Sequence, residues 1–155
     1  MTDQQQAVFS IEKVYVKDAS LELPNAPRVF LESQTPQVEI QLSSNVEKVS
    51  DTLYDVVVTV TATAKQADKT YFLVEVAQAG IFQIHGVPEQ DLQPILGIAC
   101  PNILFPYARE AVADLVGRAG FPPIHLAPVN FEAIYMQRLQ QQGAQPARPP
   151  IQTAS

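Results

Sequence analysis

The side chains best suited to covalent or acid–base chemistry are one thiol, Cys100, and two imidazoles, His85 and His125, forty residues apart with the cysteine between them. A Cys–His pair that meets in a fold activates the thiol as a nucleophile. Cys100, however, sits in an apolar stretch with no group to stabilise a thiolate, and reads as a buried, inert thiol. The same three residues have no zinc-like spacing. The six glycines are scattered, and none belongs to a GxxxxGK or GxGxxG phosphate loop. No catalytic residue, no metal and no cofactor are expected. Carboxylates remain. Asp18, Glu22, Asp55 and Glu75 in strand-like sequence read by default as a solvated sheet face. On a rigid surface they would also dock a basic partner, with Leu73 as an apolar anchor.

Composition narrows the partners. The 155 residues hold sixteen acids against ten lysines and arginines, a net charge of −6, which repels nucleic acid and anionic lipid. Residues 1–84 carry eleven of the acids and six of the bases, so the N-terminal half is the acidic one. With 46% hydrophobic and only 17% charged residues, some apolar surface should be covered by a second subunit or a client. A single cysteine cannot form an internal disulfide. The first residues show no basic region followed by an apolar core, and no run reaches the roughly 18 apolar residues of a spanning helix. A cytoplasmic protein without membrane insertion is expected.

Four segments must position these groups as strands. From Val8 to Leu23 one phase carries Phe9, Ile11, Tyr15, Ala19, Leu21 and Leu23, and the other Glu12, Asp18 and Glu22. Val14 and Val16 blur the alternation and point to a bulge or a two-sided interface. Val38, Ile40 and Leu42 alternate with polar neighbours. Leu53–Ala64 turns its valines and alanines inward, with Asp55 and threonines outward. Thr70–Ile84 sets Phe72, Val74 and Val76 against Leu73 and Glu75. Short links favour an antiparallel sheet with one packed and one wet face. Residues 24–36 are too proline-rich for sheet and form a long connection holding Val29, Phe30 and Leu31.

Pro101 and Pro106 bracket Ile103-Leu104-Phe105, which predicts an apolar turn followed by a helix starting near Pro106 and ending at Gly117 to Gly120. Tyr107, Ala108, Ala111, Val112, Leu115 and Val116 form its stripe. Asn130 caps a last helix over 131–142. A groove between that helix and the proline-rich loop, lined by Phe30, Phe131, Ile134, Tyr135 and Leu139, would hold apolar polypeptide; ordinary core is the default reading of those residues. The layout is 1–7 as a disordered N-terminus, 8–142 as one domain, and 143–155 as a disordered Gln/Pro/Ala-rich tail.

Several stretches together resemble one family. They are Tyr15-Val16-Lys17-Asp18, Pro24-Asn25-Ala26-Pro27, Gly80-Ile81-Phe82, the run from Cys100 through Pro101-Asn102-Ile103-Leu104-Phe105-Pro106-Tyr107-Ala108-Arg109 to Glu110, Leu126 to Phe131, and Leu139-Gln140-Gln141-Gln142. The chain resembles the SecB family of bacterial protein-export chaperones over residues 8–142. The resemblance implies an α+β fold, a four-stranded antiparallel sheet with two main helices on one face, assembled as a homotetramer (a dimer of dimers). It implies an ATP-independent holdase, not an enzyme, that binds unfolded precursor proteins and delivers them to the SecA translocase. Asp18, Glu22, Leu73 and Glu75 match the SecA-docking positions. Phe30, Val38, Ile40, Leu42, Phe131, Ile134, Tyr135 and Leu139 are carried over as client-binding residues, and the helix from Pro106 to Gly117 as the one joining the dimers.

One departure is the tail. Family tails are often acidic, but residues 143–155 hold no acid and one arginine, Arg148. A SecB-like chaperone of a toxin–antitoxin pair is the nearest alternative. A small-ligand-binding or hydrolytic α+β domain using Cys100 and His125 is the alternative from another class.

Overall fold

In the computed structural model, which describes residues 6–143, the four strands are β1 (Val8–Glu22), β2 (Gln37–Lys48), β3 (Leu53–Gln66) and β4 (Lys69–His85). They form one antiparallel sheet in the order β1-β4-β3-β2. β3 and β4 are the long central strands, and their alternation decides which face is dry. Val56, Val58, Val60, Ala62 and Ala64 of β3, with Phe72, Val74, Val76, Phe82 and Ile84 of β4, point to one side and are almost completely buried. The β3–β4 link turns at Ala67, a residue in the left-handed region (φ 56°). β1 and β2 lie at opposite edges, so the segment between them must cross the sheet's full width, about 14 Å at the usual strand spacing. That requirement explains the long proline-rich connection. It is pinned to the start of β4: Asn25 donates to the Thr70 carbonyl at 2.9 Å, and Lys69 pairs with Glu32 at 2.6 Å. Its 3-10 turn (Arg28–Leu31) buries Val29.

The helices cover the dry face. A short α1 (Glu89–Pro94) runs through a π-helical turn (Ile95–Ala99) into α2 (Cys100–Arg118); α3 (Phe131–Gly143) follows an extended connector. The helix does not start near Pro106. It is already formed at Cys100, and Ile103-Leu104-Phe105 is a helical turn inside it. The stripe Cys100, Leu104, Ala108, Val112, Val116, all 0% exposed, keeps i, i+4 spacing on both sides of Pro106. Burying that stripe outweighs the one hydrogen bond proline removes. Pro106 and Asn102, whose carbonyl loses its partner, both face solvent, so water satisfies the group. Upstream, the Cys100 N–H donates to the Ile95 carbonyl in the wider π pattern. The helix is stopped where expected, with Gly120 in the left-handed region (φ 91°) and Asp114 pairing with Arg118 at 2.9 Å. The Ala133 N–H donates to Asn130 Oδ1 at 3.0 Å, the expected cap of α3.

α2 lies on β3 and β4. It approaches so closely that a Cβ at Gly80 would fall 2.9 Å from Leu104 Cδ2 and from Phe82. Because Leu104 is core helix rather than part of a surface turn, Leu104→Ala should lower the free energy of unfolding by about 3 kcal/mol. Urea unfolding followed by circular dichroism measures this, and a loss below about 1 kcal/mol would contradict the packing.

Candidate functional site

Two surfaces carry the expected site residues. The first is the sheet face opposite the helices. Glu22 stands across from Leu73, Ser20 across from Glu75, and Asp18 across from Ala77. The row continues from Leu73 to Thr63 and Glu39, and from Glu75 to Thr61 and Gln41. Asp18, Glu22 and Glu75 are exposed, Leu73 is half-buried, and the neighbouring threonines are small enough to leave the carboxylates proud. The structure therefore gathers all four on one patch of the same sheet face.

β1 reaches this patch through an irregular stretch. Register shifts fall between Ile11 and Lys13 and between Val16 and Asp18, so Glu12 and Lys17 are extra residues in the ladder. Each shift reverses the side on which later side chains emerge. The inward set is consequently Phe9, Ile11, Val14, Val16, Ala19 and Leu21, opposite Ile84, Phe82, Gly80, Gln78, Val76 and Val74. Tyr15, expected inward, lies instead on the acidic face.

Asp55 also departs from expectation. It keeps the outward phase but is only 5% exposed, because β1 covers it. The Tyr15 hydroxyl donates to Asp55 Oδ1 at 2.6 Å, and Lys17 Nζ lies 3.6 Å from Asp55 Oδ2. The bonded carboxylate, followed by burial, pushes the Tyr15 phenol up to about 12. Asp55 thus ties down the bulged strand from both sides of Val16 rather than meeting a partner.

The second surface is the β2 edge on the helix side. Val38, Ile40, Leu42, Ser44, Val46 and Lys48 share this face, in register with Ala64, Ala62, Val60, Val58, Val56 and Tyr54. At about 3.4 Å per residue the strip is ~34 Å long. Val38, Ile40 and Val46 are each about 40% exposed. At the Leu42–Lys48 end, α3 stands over it and forms a groove of about 540 Å³. Phe131 anchors α3 by an edge-on contact with Phe105, centroids 5.8 Å apart. Tyr135 rests on the bare backbone of the π-helical turn, where a Cβ at Gly97 would come within 2.6 Å of its ring.

Of the eight expected client residues, Leu42, Phe131, Ile134, Tyr135 and Leu139 converge on this groove and its narrow neck. Val38 and Ile40 lie farther along the same strip. Phe30 is not in the groove; it stacks on Phe121 at 5.3 Å, beyond the strip's other end, where Phe121 also meets Phe72 at 5.2 Å. Sequence reasoning missed Val46, Lys48, Tyr54, Leu96, Gly97 and Arg138. Val46 and Lys48 simply extend the alternation of Val38, Ile40 and Leu42, and Arg138 is one turn beyond Ile134. Cys100 is fully buried, and burial pushes its thiol up to about 12, the opposite of what a nucleophile needs. No cluster of three metal-ligating side chains occurs among the described residues.

A rigid sheet with an acidic face on one side and a long apolar strip on the other defines a protein that works by binding other macromolecules. The comparisons agree. Residues 2–142 match the family described as "Preprotein translocase subunit SecB". A protein-export protein SecB of Dechloromonas aromatica is 63% identical over 98% of this chain and 100% of its own. Another, from Nitrosospira multiformis, is 66% identical over 90% and 87%. A SecB-like chaperone of Mycobacterium tuberculosis, solved in complex with a peptide from the HigA1 antitoxin, shares the fold at a TM-score of 0.59 and 21% identity, over 78% of this chain and 90% of its own. The chain belongs to the SecB family, and it is an export chaperone.

The tie at Asp55 is testable by titration. Because the folded phenol of Tyr15 is raised above its ordinary value near 10, the bond contributes stability that is full below pH 10 and disappears as the pH rises through about 12. Ultraviolet titration should show one late tyrosine step that is missing in Tyr15→Phe and shifted down in Asp55→Asn. Tyr15→Phe should also cost about 1 kcal/mol at neutral pH. A wild-type profile without the late step would refute the bond.

Proposed function

We propose that this chaperone is an ATP-independent holdase that binds unfolded precursors along the β2 strip and hands them to the SecA translocase through the acidic sheet face. The observation that carries the reading is the strip itself: ~34 Å of one strand face, apolar and partly exposed apart from Ser44 and Lys48, long enough for about ten residues of extended polypeptide. Such a surface asks little of its occupant beyond apolar side chains. Several weak sites engaging one chain raise the effective concentration of the rest, and folding of the client removes the exposed stretches and releases it. No nucleotide is needed. A non-enzymatic role fits the inert state of Cys100.

Two further features support assembly as a homotetramer in the cytoplasm. The helix-side face of β1 leaves Phe9, Ile11 and Val16 between 42% and 52% exposed, and Tyr107 of α2 is 51% exposed. A monomer would leave these apolar groups in water; a second copy would cover them. No helix among the described residues is long and apolar enough to cross a membrane. The expected disordered ends, 1–7 and 143–155, fall almost wholly outside the described residues, and the SecA contact rests on the sheet face rather than on the tail.

The two surfaces face opposite ways, so they should be separable. Reversing Asp18, Glu22 and Glu75 to lysine should weaken SecA binding about tenfold in low-salt calorimetry while leaving suppression of precursor aggregation, read by light scattering, unchanged. Ile40→Asp with Leu42→Asp should do the reverse. If each variant lost both activities equally, the division of labour would be wrong.

A further inference from the structure

Neither surface described above uses the tail. Residues 143–155 hold no acid, and their central run reads Pro146-Ala147-Arg148-Pro149-Pro150. Proline fixes φ near about −65° and favours the polyproline II helix, which has about three residues per turn. Pro146 and Pro149 then share one edge of that helix, Ala147 and Pro150 the next, and Arg148 stands on the third. Two adjoining apolar edges with a charge behind them are the form in which proline-rich segments enter grooves lined by aromatic rings.

A groove of this kind lies where the tail begins. Phe131 and Ile134, early in α3, line its narrow neck with Leu42. Leu139 and Gln142, late in α3, line the wider part with Val46 and Lys48. The helix therefore runs along β2, and the chain leaves it at the open, Lys48 end. Tyr54 and Tyr135 line the same cavity. We propose that residues 146–150 of this chain turn back into the groove as a polyproline II segment, which clients must displace. The inference rests on the client-binding reading of the strip and gives that site a built-in competitor. Gly143 to Gln145 supply the length of about one reverse turn. Pro146 to Pro150 then span ~12 Å at the polyproline rise, against ~14 Å of β2 between Lys48 and Ser44. Three of the five residues have no N–H to leave unpaired against an apolar wall. Arg148, on the outer edge, stays clear of Lys48 and Arg138. So short a tether gives the segment an effective concentration in about the millimolar range. The segment fills the groove part of the time and lowers apparent client affinity by the fraction left free. Brief or weak apolar contacts are thereby turned away, and a client that also engages Val38 and Ile40 prevails.

The test compares the full chain with one ending at Gly143, using a short apolar peptide with acetylated and amidated ends. Calorimetry should show the peptide binding about threefold more tightly to the shortened chain. Pro149→Asp in the full chain should match the deletion. A nitroxide on Ile151→Cys reports the contact directly, because Cys100 is fully buried and escapes the label. The labelled full chain should broaden the methyl signals of Leu42, Val46 and Leu139. Saturating peptide should restore them, and Pro149→Asp should remove the broadening. Mixing spin-labelled chains with isotope-labelled chains that end at Gly143 should broaden nothing; broadening there would give the groove to a neighbouring copy's tail and overturn the assignment. Unbroadened signals, or equal peptide affinities in the full and shortened chains, would overturn the docking and leave the client-binding reading standing. A peptide that failed to bind even the shortened chain would overturn that reading, and the competition with it.

Discussion

Helix α2 lies so close to β4 that a methyl group at Gly80 would collide with Leu104 and Phe82. From this approach much of the architecture follows. It lets the uninterrupted stripe from Cys100 to Val116 bury itself on the inner valines of β3 and β4. It commits one sheet face to the core and leaves the other to water. Because α2 is one helix wide, it covers the central strands and leaves the inward sides of both edge strands partly bare. The apolar strips on β1 and β2 are what remains of a dry face broader than its cover. α3 then shelters only one end of the β2 strip, held by Phe131 in the core and by Tyr135 on the backbone of the π-helical turn.

The result is a plate whose two sides differ in chemistry. On the wet side, carboxylates from β1 and β4 stand among small threonines and alanines. On the other side, the exposed groups are valines, isoleucine, leucine and the aromatic rings of α3. A chaperone that holds one polypeptide while meeting a second protein needs such separation, because apolar contact with a client carries little sign preference while docking of a folded partner depends on charge.

The features legible in the sequence were those with a strong, unbroken period. The four strands, the stripe of α2 and the Asn130 cap stand where alternation and spacing put them. The acidic patch was legible for the same reason, since Leu73 and Glu75 belong to a regular strand. Errors arose where one local signal opposed a tertiary one. Proline's reputation as a helix breaker hid six helical residues before Pro106, although the i, i+4 stripe already ran through Leu104. In β1 a simple count of alternate residues sent Tyr15 inward, because two bulges separated by four residues cannot be located from an alternation that they themselves erase. Asp55 looked like surface for a related reason: a tyrosine and a lysine that reach across β4 from β1, not its own phase, determine its burial. The cations of the groove went unnoticed because a charged residue at the end of a strand reads as ordinary surface until a helix from elsewhere in the chain is laid over it.

The bulges have one more consequence. Fifteen residues of β1 pair with thirteen of β4. The two surplus residues cancel in parity, so the ends of the strand share a phase while the stretch between them is inverted. Which side of the plate Asp18 and Glu22 decorate is set by their partners Ala77 and Leu73 on β4, not by a count along β1. Removing Lys17 alone would heal the second bulge: Val16 and Asp18 would become neighbours opposite Gln78 and Ala77, and every side chain would keep its face. Over evolutionary time this edge can shorten by one residue at either bulge and keep both faces, whereas losing a paired residue such as Ala19 would carry the strand on one side of the gap to the wrong face.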